Sequence, residues 1–119
     1  MRPKSSLRET MTFSDNEYNQ RQFHEMLASI ADYEGGHTEL SSLIGRLEGL
    51  LSCLQQADEG WCEKYRRSWG KLEDAYADAI YRAQKNRAKV VLDSDDLRLI
   101  GEGLTELKLL TQSVSRLND

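Results

Sequence analysis

The sequence predicts an all-α fold, a single-domain antiparallel bundle of four helices with the first one shorter. Three observations predict it. Apolar residues recur at three- and four-residue spacings over long stretches, and the strict alternation that marks a half-buried strand is missing. The only proline, Pro3, lies near the start, so the interior lacks the residue that costs a helix about 3 kcal/mol. With 119 residues, 39% hydrophobic and 30% charged, the chain suits one buried core and leaves little room for a second.

Residues 1–12 carry no apolar period and read as an unstructured tail, with the bundle domain over 13–119. At Phe13-Ser14-Asp15-Asn16-Glu17-Tyr18, Ser14 and Glu17 have capping-box spacing, and Phe13 and Tyr18 stand where a hydrophobic staple would be. The first helix follows, with Phe23, Met26, Leu27 and Ile30 on one face, and Gly35-Gly36 ends it. The second helix runs from about Glu39 to Ala57 on a stripe from Leu40 through Leu43, Ile44, Leu47, Leu50 and Leu51 to Leu54.

Asp58 is placed to cap the third helix, and Glu59 sits at its positive end. Trp61, Tyr65, Trp69, Leu72, Tyr76, Ile80 and Ala83 then keep one face apolar for more than twenty residues. Val90-Val91-Leu92 reads as a short connector folded back over the core. Ser94 opens the fourth helix with Asp95 and Asp96 in its first turn, and its stripe is Leu97, Ile100, Leu104, Leu107, Leu110, Val114 and Leu117. Short connections make successive helices antiparallel neighbours. Two arrangements satisfy this pattern: a four-helix bundle, or a three-helix core with a shorter helix across it. Gly45 and Gly49 form a flat strip suited to close helix approach, while Gly101 and Gly103 suit a bend in the fourth helix.

Catalytic chemistry finds no foothold in these residues. A di-iron bundle needs inward glutamates and paired Glu-x-x-His motifs. Glu34-Gly35-Gly36-His37 has that spacing once, but its glycines break the helix, and His24 has no partner motif. Cys53 and Cys62 are too few for a disulfide framework or a zinc site. Cys62 lies near a helix N-terminus, where a thiol is activated, yet no base is placed beside it, so a partly buried inert thiol is expected. No phosphate loop or dinucleotide fingerprint occurs. The expectation is a non-enzymatic protein with no cofactor and no metal.

The net charge of −4 conceals a segregation. Ser14–Glu63 holds ten acids against two bases, and Lys64–Lys89 holds eight bases against three acids. Such a field steers charged partners. Lys64, Arg66, Arg67 and Lys71 interleave with Trp61, Tyr65 and Trp69, a mixture that binds phosphates and stacks bases when the rings are exposed. These rings follow the core period, however, and the chain is acidic overall, so nucleic acid is the minority expectation.

Helices two and three carry a resemblance. The run Leu43-Ile44, Leu47-Glu48, Leu50-Leu51 and Leu54, then Asp58-Glu59, Trp61, Tyr65, Trp69-Gly70, Leu72-Glu73 and Tyr76-Ala77, resembles the small helical immunity proteins of bacterial polymorphic-toxin systems, including contact-dependent growth inhibition. Its most specific part is Trp-x3-Tyr-x3-Trp-Gly-x-Leu-Glu-x2-Tyr-Ala. The resemblance implies a cytoplasmic protein that binds a cognate toxin domain and blocks its active site or partner surface. Many such toxins are nucleases with basic clefts, which an acidic surface complements. From charge clustering, the candidate surface is Asp32, Glu34 and Glu39 at the first interhelical turn and Asp58, Glu59 and Glu63 at the second. Asp58 and Glu59 also have the local roles of cap and dipole partner. The alternative is a regulatory or scaffold module that binds nucleic acid or protein through the basic face of helix three. No apolar run reaches the ~20 residues that span a bilayer, and a cytoplasmic location without membrane association is expected.

Overall fold

The computed structural model describes residues 13–116, so the expected tail at 1–12 and the stripe residue Leu117 lie outside the described residues. Four helices carry the fold: α1 (Glu17–Glu34), α2 (Leu40–Ser52), α3 (Glu59–Asn86) and α4 (Ser94–Gln112). No strand occurs among the described residues. α1 is shorter than α3 and α4, and α2 is shorter still, at 13 residues against the 28 of α3. Backbone contacts join α1 to α2, α2 to α3, α3 to α4 and α4 back to α1, with none across either diagonal. The ring is therefore closed, and of the two arrangements the chain adopts the four-helix bundle.

The inward stripes meet as their spacing predicts. Phe23, Met26 and Ile30 from α1 pack with Leu43 and Leu47 from α2, Tyr65 and Leu72 from α3, and Leu107 from α4, all essentially inaccessible. The core aromatics also pin the helices through their polar ends. Tyr65 donates its hydroxyl to Leu47 O at 2.9 Å, Trp69 donates Nε1 to Ile44 O at 2.9 Å, and Trp61 donates Nε1 to Leu110 O at 3.1 Å. These bonds join α3 to α2 twice and to α4 once.

One helix start differs from its expected cap. α1 is capped by Asn16, whose Oδ1 accepts from Tyr18 N at 2.8 Å and Asn19 N at 3.2 Å, and not by a Ser14/Glu17 box. Residues 13–15 are themselves helical, which removes Ser14 from the cap position. Phe13 packs into the core instead, 5.5 Å from Phe23 and 5.3 Å from Trp61 between ring centroids. α4 opens at Ser94 with Asp95 and Asp96 in its first turn, as expected, and Asp93 before it forms a full capping box with Asp96. Asp58 caps α3 as expected, accepting from Trp61 N at 3.1 Å.

α2 stops at Ser52 and not near Ala57. The following residues are claimed by α1: the buried Asn19 takes both backbone groups of Gln55, and Gln56 turns the chain with φ 51°. The glycines also resolve. An added Cβ at Gly45, Gly49 or Gly101 meets nothing within 4 Å, whereas at Gly103 it falls 2.8 Å from Ser68 O. Close helix approach is thus a property of α3 and α4, at Gly103, and the Gly45/Gly49 strip faces outward.

One consequence of unequal helix length shapes the rest of the molecule. At about 1.5 Å per residue, α3 is roughly 42 Å long and α2 roughly 20 Å. α3 and α4 therefore continue past the α1–α2 turn as a two-helix arm. The contiguous apolar core ends at Ala75 and Ile100, and beyond it only the small Ala79 and Ala83 of α3 are buried among the described apolar residues. Leu97, expected in the buried stripe, is 54% exposed, and Val90 and Val91, expected to fold over the core, are 46% and 66% exposed; only Leu92 packs against it. The period was right, but no helix is present there to cover the stripe.

Candidate partner-binding surface

The arm is held by a polar clamp. Arg82 of α3 bonds Asp78 one turn before it, Asp96 of α4 at 2.6 Å, and the Val91 carbonyl at 3.0 Å, with Asp93 at 3.4 Å. The carboxylate oxygens of Asp78, Asp93 and Asp96 lie within 4.8 Å of one another, a spacing that suits a cation. Here the cation among them is the guanidinium. It holds the Asp96 carboxyl below the usual carboxylate range, and the Arg82 pKa is raised in turn by its bond to Asp96. The cluster reads as a helix-to-helix staple that closes the α3–α4 connection.

Cys62 is buried, and that burial pushes its thiol pKa up, against a smaller lowering effect of Arg66. A raised thiol pKa is the opposite of what a nucleophile at neutral pH requires. Glu34 ends α1 and bonds Lys108 of α4 at 2.9 Å, while His37 sits exposed in the turn beyond. The Glu-x-x-His spacing therefore spans a helix end, and neither side chain belongs to a group of three or more ligand-type side chains among the described residues. His24 is half-buried, and its Nε2 has no hydrogen-bond partner among the described residues.

The six candidate acids divide into two groups at opposite ends of α2. Asp32, Glu34 and Glu39 surround the α1–α2 turn; Asp58, Glu59 and Glu63 surround the start of α3. All six are exposed. Two have local duties: Glu34 in its pair with Lys108, and Asp58 as the α3 cap. Asp32, Glu39, Glu59 and Glu63 make no ion pair among the described residues.

Between the two groups runs the outer face of α2, which charge clustering alone did not single out. Ser41, Ser42, Gly45, Gly49 and Ser52 are exposed there, and Glu48 stands among them. The helical period carried the signal for this face, because each of these positions lies off the apolar stripe of Leu40, Leu43, Ile44 and Leu47. Small side chains leave the backbone cylinder nearly bare, so the face is flat, with acids at each end and one along its length. The nearby cations are Arg46, paired to Glu25 at 2.6 Å, and Arg66 beside the α3 acids.

The basic stripe of α3 is also divided. The aromatic rings turn inward, as their period requires: Trp61 and Tyr65 are buried and Trp69 is half-buried. Lys64, Arg67 and Lys71 line an open groove of about 540 Å³ against Glu106, Leu109 and Leu110 of α4. Arg66 points to the other side, into the cleft with Glu59 and Glu63. Lys71 is engaged by Glu106 at 2.8 Å and Glu102 at 3.7 Å. Lys64 and Arg67 make no ion pair among the described residues, and Leu109 beside them is 64% exposed. Leu109 stands one position off the stripe that includes Leu107 and Leu110, a signal present in the sequence.

Comparison with protein-family models, curated proteins and solved structures finds no match to this chain. No helix among the described residues is long and apolar enough to cross a membrane.

Proposed function

We propose that this chain is a non-enzymatic inhibitory binding protein of the immunity type, which neutralises a toxin domain by covering a basic surface on it. The observation that carries this reading is the flat outer face of α2 between unpaired acids, Asp32 and Glu39 at one end and Glu59 and Glu63 at the other. A face of serines and glycines, with Glu48 its one long side chain among the described residues, admits close backbone approach over most of its length. Acids around it raise the encounter rate with a cationic cleft and penalise neutral or acidic competitors. The rigid core fixes the spacing of the two acid groups, so little ordering is required on binding. A nuclease domain is the partner class whose cleft best matches this pattern, since a phosphate-binding cleft is basic.

The test is binding of the full chain to the toxin domain encoded beside its gene, followed by stopped-flow kinetics. Replacing Glu48, Glu59 and Glu63 together by lysine should cut the association rate at low salt by about tenfold or more. An unchanged association rate removes this face from consideration, and a neighbouring toxin domain that does not bind ends the immunity reading.

The α3–α4 groove favours a second reading, a regulatory or scaffold module for an acidic partner. Lys64 and Arg67 on one wall and the exposed Leu109 on the other would suit an acidic amphipathic segment or a nucleic-acid backbone. Salt-sensitive binding that is lost in Arg67→Glu would support this alternative.

A further inference from the structure

The arm made by α3 and α4 has an apolar side with no helix over it. Leu97 stands two turns before Leu104 on the same stripe of α4. Leu104 is buried in the core, yet Leu97 is more than half exposed. On α3 the series Leu72, Tyr76, Ile80 passes from fully buried to half-buried over the same length. In a bundle of equal helices these residues would meet α1 and α2, but α1 ends at Glu34 and α2 begins only at Leu40. The upper part of the molecule is half of a four-helix bundle.

The two ends of this open side differ in charge. At the loop end, Lys85, Arg87 and Lys89 are exposed and make no ion pair among the described residues. At the base, beside the α1–α2 turn, Asp32 and Glu39 are exposed and make no ion pair among the described residues.

We infer that two copies of the chain pair through these arms, antiparallel about a two-fold axis. Each copy lays Leu97 and Ile80 against the same residues of the other and rests its basic loop on Asp32 and Glu39 of the second copy. Two hairpins supply the four helices that a complete bundle requires, and the two-fold makes every contact occur twice. A parallel arrangement would set one basic loop against the other. An anionic membrane would accept the basic loop with Val90 and Val91, but it would leave Leu97 and Ile80, on the flank of the arm, uncovered. This inference shares Asp32 and Glu39 with the toxin-binding reading but is tested apart from it, because the mass is read on the isolated protein.

Sedimentation equilibrium of the full chain alone tests it. The expected mass is twice the 13.6 kDa of the chain, falling towards one copy on dilution and with added salt. Leu97→Glu should give a single-copy mass with unchanged helicity, since the site is exposed and near a helix N-terminus, where an acid is tolerated. Lys85→Glu with Lys89→Glu should weaken the dimer by about tenfold or more, and adding Asp32→Lys with Glu39→Lys should restore it. A single-copy mass at every concentration overturns the proposal. So does a dimer indifferent to Leu97→Glu, or a failure of the combined charge reversal to restore pairing. Binding of a monomer to phosphatidylserine vesicles would reassign the arm to a lipid surface.

Discussion

The side-chain amide of Asn19 holds both backbone groups of Gln55: Nδ2 donates to Gln55 O at 2.8 Å, and Oδ1 accepts from Gln55 N at 2.9 Å. The same Nδ2 donates to Phe13 O at 3.0 Å, and Asn19 is wholly buried. One side chain on α1 thus fixes the entry to that helix and the chain leaving α2. It replaces the backbone pairing that Gln55 would have had in a longer second helix.

Asn19→Ala should therefore destabilise the fold by about 2–4 kcal/mol, because three backbone groups lose their partner, one buried and two part-buried. Asn19→Asp should be worse at neutral pH, since it sets a carboxylate against the Phe13 and Gln55 carbonyls. Urea unfolding followed by circular dichroism gives both values. A loss below about 0.5 kcal/mol for Asn19→Ala would mean that water takes over those bonds.

Gly103 and Gly101 provide a paired test of helix packing. A Cβ at Gly103 would lie 2.8 Å from Ser68 O and 3.1 Å from Leu72 Cδ2, while one at Gly101 meets open space. Gly103→Ala should cost about 1–3 kcal/mol through forced separation of α3 and α4, despite better helix propensity. Gly101→Ala should gain about 0.5–1 kcal/mol. Thermal melts of the two variants should move in opposite directions.

The Arg82 clamp makes a pH prediction. The guanidinium depresses the Asp96 pKa, chiefly by its hydrogen bond, so the folded state binds that proton less readily than the unfolded state. The resulting stability is fully present above the unfolded carboxylate pKa of about 4 and is lost as pH falls through the lower folded value. Glu106, depressed by Lys71 and Ser68, acts in the same direction. Arg82→Met should lower stability at pH 7 and leave a shallower acid limb, with the two proteins converging once pH has fallen below the depressed folded value of Asp96. Parallel acid limbs in wild type and variant would rule out this coupling.

The two thiols should react in a fixed order. Cys53 is exposed, whereas Cys62 is buried with its pKa pushed up. Alkylation at neutral pH should label Cys53 alone, and Cys62 should react only when the chain unfolds. Peptide mass mapping before and after denaturant reads the result. Labelling of Cys62 at the Cys53 rate would show that the α3 N-terminus opens readily.

Local patterns of this chain were legible without coordinates because each depends on a few residues of backbone. The stripes of Phe23 to Ile30, Leu40 to Leu47 and Trp61 to Leu72 are helical because burial demands one face, and the Asp58 cap follows from the four free N–H groups of any helix start. The acids of the candidate surface were also legible as residues. Their grouping was not, since the sequence does not say that Glu34 is spent on Lys108, 74 positions away, or that α2 sets the two groups apart.

By itself, the sequence determined the helices, their inward faces and the segregation of charge, all consequences of periodicity and short-range capping. Only the tertiary structure decided where coverage stops. Leu97 has the same period as Leu104, but burial depends on a neighbour's length, and α1 and α2 are too short to reach it. A side chain's spacing states which way it faces; only the packing of distant segments states what, if anything, it faces.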